Sequence, residues 1–249
     1  MPYKIKTSPK PVPADEAHLL SGLEQVLSQA RTYRRTIAAG AILLILAIAA
    51  VAATLLWEHR ATQQAAELAR QATRLYLDRP ADQPAKADEN LKQAIVLYLQ
   101  LVEQYPRSPQ APLALYYLGN ARVQINDIPG AIEAYKKYVA TYGANKPLLG
   151  MVYQRLGYAY LLNGDRERAT KAFAAALDVP GSLNKDQALF ELGKLEESQS
   201  RPEGALARYQ DLIKTYPNSP FAGEASVRMK ALEVKQTPAT PPQAPATKP

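Results

Sequence analysis

The chain has 249 residues, with 30 Lys and Arg against 23 Asp and Glu, two His and no Cys. Without Cys there is no disulfide, no thiolate metal site and no lipid-modified cysteine, and His18 and His59 lie too far apart in sequence to suggest a metal cluster or a triad. The net charge of +7 is spread along the chain, with no basic stripe interleaved with aromatics, so nucleic acid is not an expected partner.

The first expected element is an amphipathic helix in "ADEAHLLSGLEQVLSQARTYRR". Asp15 can cap its start, and Leu19, Leu20, Leu23, Val26, Leu27 and Ala30 fall on one stripe. Such a helix either lies on the lipid surface or docks a partner, and both readings stay open. Next comes Thr36 to Trp57, without a charge and about 33 Å long as a helix, which matches the hydrocarbon core. A cleaved signal peptide is the competing reading, through Ala47-Ile48-Ala49 or Ala50-Val51-Ala52. The long basic leader and the length of the apolar run oppose it. Arg31, Arg34 and Arg35 crowd the near end and Trp57 marks the far one, which predicts a single-pass span with its N-terminus cytoplasmic.

Beyond the span, "RATQQAAELARQATRLYLD" continues as a helix and "RPADQPAKADEN" reads as a loop. A pattern then recurs. Leu118-Gly119, Leu156-Gly157 and Leu192-Gly193 are each followed, twelve positions after the Gly, by Ala131, Ala169 and Ala205, and four further by Tyr135, Phe173 and Tyr209. Leu115, Tyr153 and Leu189 precede each Leu-Gly pair by three. "NDIPG", "NGD" and "SRPEG" supply the turns, with Asp165 a cap. An earlier half-unit shows only Ala94 and Tyr98. Arg122 and Glu196 depart from the column where Tyr160 stands. The segment "SPFAGEASVRMKALE" is expected to cap the array, and "QTPATPPQAPATKP" is too rich in Pro to bury a core.

These columns resemble the tetratricopeptide repeat (TPR), a helix–turn–helix of about 34 residues. The fold class expected is all-α: one N-terminal transmembrane helix followed by a solenoid of helix pairs. The Gly and Ala columns are small because paired helices cross there, and the aromatics are expected to fill the gap between neighbouring units. The divisions are 1–35, 36–57, a helical linker and loop over 58–87, the repeat domain with its capping helix over 88–232, and a Pro-rich tail over 233–249. The resemblance also implies a concave groove lined by Tyr116, Asn120, Gln154, Tyr158, Phe190 and Lys194, suited to an extended or helical peptide. Repeat domains that clamp acidic chaperone C-termini carry several Lys, Arg and Asn there, and only Asn120 and Lys194 qualify.

The whole layout resembles the YfgM-like family of inner-membrane proteins. That likeness implies an ancillary subunit of the SecYEG translocon, linking it to periplasmic chaperones or substrates, with the repeat domain periplasmic. "QYPRSPQAPLALYYLG" and "TYPNSPFAGEA" are also similar to the repeats of CpoB-like and BamD-like envelope-assembly proteins, which implies the alternative of an adaptor for envelope assembly or division. The expected partners are proteins and the lipid bilayer. No cofactor, metal or enzymatic activity is expected, since no clustered acid/base set is present.

Overall fold

The computed structural model describes residues 33–144 and 146–236. The helix expected between Asp15 and Ala30, and the tail beyond Gln236, lie outside them. Among the described residues the chain is all-α: α1 Arg34–Leu77, α2 Pro84–Gln104, α3 Ala111–Gln124, α4 Ile128–Tyr142, α5 Lys146–Leu162, α6 Arg166–Asp178, α7 Lys185–Ser198, α8 Pro202–Thr215 and α9 Ala222–Gln236. The chain divides into two units, residues 1–60 and 61–249.

The described part of the first unit is the apolar portion of α1. Its mean hydropathy reaches 2.7, and the helix is long and apolar enough to cross a membrane. Leu43, Leu46 and Trp57 are exposed along it.

The second unit is a TPR-like solenoid in which each helix packs mainly on the next, with α3·α4, α5·α6 and α7·α8 as the pairs of the three legible repeats. The turns inside these pairs are built alike. Asn126, Gly164 and Ser200 occupy equivalent places and all have positive φ, +63°, +79° and +57°. The next residue in each case donates its amide five positions back: Asp127 to Arg122 O, Asp165 to Tyr160 O, Arg201 to Glu196 O. This left-handed stop satisfies the last carbonyls of the first helix and aims the second helix back along it. Asp127 and Asp165 then cap the second helix by accepting from Gly130 N and Arg168 N.

Arg122 and Glu196, the two polar departures, serve these turns. Arg122 donates to Gly130 O at 2.8 Å and lies 3.5 Å from Asp127, while Glu196 pairs with Arg201 at 3.5 Å. Tyr160 does the same work by lying under the Arg168 guanidinium, 5.6 Å from its ring centre. One column thus holds the inter-helix turn by three different chemistries.

The aromatic column sits differently from the expectation that it fills gaps between units. Tyr135, Phe173 and Tyr209, all fully buried, each lie directly over the Gly of their own pair. A methyl group at Gly119, Gly157 or Gly193 would come within 3.0 Å of the facing ring. Tyr135 also reaches the next pair, beside Arg155 and Ala159.

The half-unit at Ala94 and Tyr98 has a partner helix after all, in the last turns of α1. Ala65 and Ala72 are fully buried there, and Thr73 Oγ1 is 3.1 Å from Tyr98 Oη. Tyr105 Oη donates to Gln64 Oε1 at 2.8 Å. Ala72-Thr73 therefore faces Tyr98 as Gly119-Asn120 faces Tyr135, whose hydroxyl donates to Asn120 Oδ1 at 2.7 Å.

These buried phenols make the fold sensitive to alkali. Burial, opposed by the Thr73 hydrogen bond, raises Tyr98 from 10.0 to about 12, and burial likewise raises Tyr135, Tyr158 and Tyr209. A raised phenol pKa means the folded state holds its proton longer than the unfolded state does. The associated stability is fully present below pH 10 and is lost as pH rises toward 12. Phenolate absorbance is expected to rise in two phases, exposed rings first and buried rings together with loss of helix. A single phase near pH 10 with helix retained would contradict this packing.

Candidate protein-binding groove

The six groove residues read from the sequence fall into two groups. Tyr116 and Phe190 are 7% and 4% exposed, and Gln154 is also buried. Phe190 stacks on Phe221 at 5.2 Å between ring centres and tilts against Tyr209 at 5.9 Å. Gln154 Nε2 donates to Asn184 O at 3.1 Å, holding the loop before α7 where Asn184 has a φ of +59°. Gln154 and Phe190 thus join one unit to the next, while the Tyr116 ring meets that of Tyr117 beside it at 5.6 Å.

Asn120, Tyr158 and Lys194 are part-exposed and offer polar atoms. Asn120 and Tyr158 line one pocket of about 200 Å³, together with Tyr76, Val123, Gln124, Tyr135, Arg155 and others. Tyr158 is fixed from two sides: its ring meets Phe173 edge-on at 5.1 Å, and its hydroxyl donates to Glu191 Oε1 at 3.2 Å while accepting from Gln187 Nε2 at 2.8 Å. Burial, then the negative charge of Glu191, pushes its pKa up, so the phenol stays neutral at ordinary pH. Lys194 reaches the same carboxylate, 3.0 Å from Glu191 Oε2, and lies 5.5 Å from the Phe190 ring centre. The buried Glu191 thereby ties Tyr158 of α5 to Lys194 of α7, and its charge is compensated locally.

Tyr76, Gln124, Arg155, Gln187 and Glu191 were not picked out from the sequence. Tyr76 sits on a helix with no Leu-Gly marker, yet it packs 5.3 Å from Tyr117 and accepts from Gln124 Nε2 at 2.9 Å. Arg155 occupies the position just before Leu156-Gly157, one step off the column taken as groove-facing.

Among the described residues no group of three or more His, Cys, Asp or Glu is placed to hold a metal. The helix pairs, their shared turns and the polar inner pocket define a tetratricopeptide-type protein-interaction scaffold, a non-catalytic architecture. Residues 69–236 match YfiO, described as an outer membrane lipoprotein, and the chain belongs to that family. This corrects the resemblance to the inner-membrane YfgM-like family and, with it, the expected location as a single-pass inner-membrane protein. The layout of span plus repeats suggested that family, but layout carries no diagnostic residue, whereas the YfiO match runs through the repeats themselves.

Among solved structures, a tetratricopeptide repeat protein from Parabacteroides merdae ATCC 43184 is 17% identical with a TM-score of 0.52, over 70% of this chain and 61% of that one. The chain thus spans about three fifths of that protein's length. BtubC (BKLC) from P. vanneervenii is 15% identical with a TM-score of 0.50, over 71% of this chain and 83% of that one. At these identities the likeness is one of fold. No curated protein matches.

Proposed function

We propose that this protein is a scaffold of outer-membrane or cell-envelope assembly, gripping a partner chain along the inner face of its stack. The YfiO match over residues 69–236 carries this reading. It favours the envelope-assembly alternative over the translocon-and-chaperone reading, whose only support was the likeness corrected above. Asn120, Tyr158 and Lys194 touch the partner, because they are the part-exposed members of the six. Gln154 and Phe190 act from beneath by holding successive units in register.

Site-specific photo-cross-linking in cells tests it. A cross-linker at position 120, 158 or 194 is expected to yield defined adducts with envelope-assembly proteins. One at Lys171, exposed on α6, should yield few. Adducts concentrated at position 171 and missing from the other three would overturn the groove as the binding face.

A further inference from the structure

One end of the second unit is lined by connections that touch one another in turn. Tyr105 Oη, in the α2–α3 connection over 105–110, donates to Gln64 Oε1 near the start of this unit at 2.8 Å. Tyr142 Oη, at the end of α4, donates to Pro106 O in that same connection. Ser182, in the α6–α7 connection over 179–184, packs on α5 where Gly150 has no side chain, and Gln154 Nε2 holds Asn184 O at 3.1 Å. Ser219 Oγ, between α8 and α9, donates to Asp186 Oδ2 at 2.6 Å. These contacts make a continuous rim. The chain enters it from the apolar run, since Gln64 stands seven positions after Trp57, about 10 Å at helical rise.

The two ends of the array differ in composition. The rim connections over 105–110, 143–145, 179–184 and 216–221 contain no Asp or Glu, whereas those at the other end over 78–83, 125–127 and 163–165 carry Asp78, Asp82, Asp127 and Asp165. The rim exposes several Pro, the cations Arg107 and Lys146, and Leu183. Glu103 and Asp178 flank it from the last turns of α2 and α6, and Lys214 from that of α8, so the excess of positive charge is small. An apolar contact must therefore supply part of any attraction, and Leu183 is built to make one. It is 62% exposed, and Gly181 and Asn184 bracket it with left-handed φ of +68° and +59°. Ser182 N donates to Val179 O behind it at 3.2 Å, so the leucine is held outward. A projecting Leu with cations beside it and no carboxylate in the connections is the chemistry of a bilayer surface. The leucine reaches the acyl boundary while guanidinium and ammonium stay with the phosphates. The tether agrees, because about 10 Å past Trp57 brings the rim to the outer side of a headgroup layer roughly 5–8 Å deep. We infer that this rim rests on a lipid headgroup surface, with Leu183 inserted and Arg107 and Lys146 on the phosphates. The rim lies at the ends of the helices and the groove along their sides, so either can fail without the other.

The chain has no Cys, so one introduced cysteine can carry a fluorophore on the full-length protein in phosphatidylcholine vesicles, with or without phosphatidylglycerol. Ala144→Cys and Asn163→Cys flank the two ends of α5, about 25 Å apart by its rise, the first on the rim and the second at the opposite turn. Nitroxide-labelled lipid is expected to remove most of the emission at 144 and little at 163, with a deeper loss at 144 when phosphatidylglycerol is present. Leu183→Asp should restore the emission at 144, and the uncharged Leu183→Gln should restore part of it. Helical content by circular dichroism should stay unchanged in both, because the side chain is exposed. Arg107→Gln together with Lys146→Gln should remove the dependence on phosphatidylglycerol. Equal quenching at the two positions, or quenching at 144 that survives both Leu183 variants or ignores phosphatidylglycerol, overturns the lipid contact. So does an absence of quenching at 144, which would assign the exposed Leu183 to a protein instead.

Discussion

Phe173→Ala is expected to cost about 3–5 kcal/mol, the range for emptying a fully buried aromatic site. The ring has no exposed surface, covers Gly157 on α5 and meets Tyr158 edge-on at 5.1 Å. Domains of this kind are held by only about 5–15 kcal/mol, so one side chain carries a large share of the margin. The loss falls in the middle of an array whose units touch mainly their neighbours, which leaves the flanking pairs without a continuous core. Urea unfolding followed by circular dichroism measures it. Tyr135→Phe is the comparison: it keeps the ring over Gly119 and removes only the bond to Asn120, which is worth about 1 kcal/mol. A Phe173→Ala change no larger than that of Tyr135→Phe would mean that the ring does not seal the pair.

The fold was legible because its close contacts are written in residue size. Gly157 and Ala169 stand where backbones approach, and no sequence of freely placed apolar residues needs small side chains at that fixed spacing. The turns were legible for a similar reason, since Asn126, Gly164 and Ser200 are small or polar residues at a left-handed position. The first pair was half hidden. Its first helix has Ala72 in place of Gly, and the connection over 78–83 together with the opening turns of α2 stretches the distance to Ala94, so the column spacing failed there. Composition marks the end of the apolar span at Trp57, but no Pro, Gly or turn signal separates it from the helix that partners α2.

The site was less legible than the fold, because groove exposure depends on how units stack. Tyr116, Gln154 and Phe190 fill one column, two before each Leu-Gly pair, and all three are buried, Gln154 against the loop at Asn184 and Phe190 against Phe221. Arg155 escaped notice because any helix surface carries such residues, and only the packing shows that it has no carboxylate partner. The Glu191 link between Tyr158 and Lys194 was equally silent: an acid immediately before Leu-Gly-Lys reads as solvated until its burial is known. Location was not legible, since an apolar helix beside a repeat array carries no residue that names a membrane, whereas the family match lies in residues 69–236.

Replacing glycine by alanine inside these helices should give opposite signs at two places. In a helix interior Ala is favoured over Gly by about 1 kcal/mol when the added methyl meets nothing. At Gly223, in the first turn of α9, no atom lies within 4 Å of the new carbon, so Gly223→Ala should raise stability by roughly a few tenths of a kcal/mol, only part of the interior gain. At Gly157 the same carbon would lie 2.8 Å from two atoms of the Phe173 ring, and the rings over Gly119 and Gly193 are nearer still. Those atoms belong to rigid, fully buried rings, so relief requires α5 and α6 to separate along their whole contact. Overpacking of this kind costs about 1–3 kcal/mol, enough to exceed the propensity gain, and Gly157→Ala should lower stability. Gly157→Leu should lower it further, because the larger side chain has no space to turn into. Paired urea titrations of the full chain in detergent measure both signs, and a stabilising Gly157→Ala would place the Phe173 ring somewhere other than over that glycine.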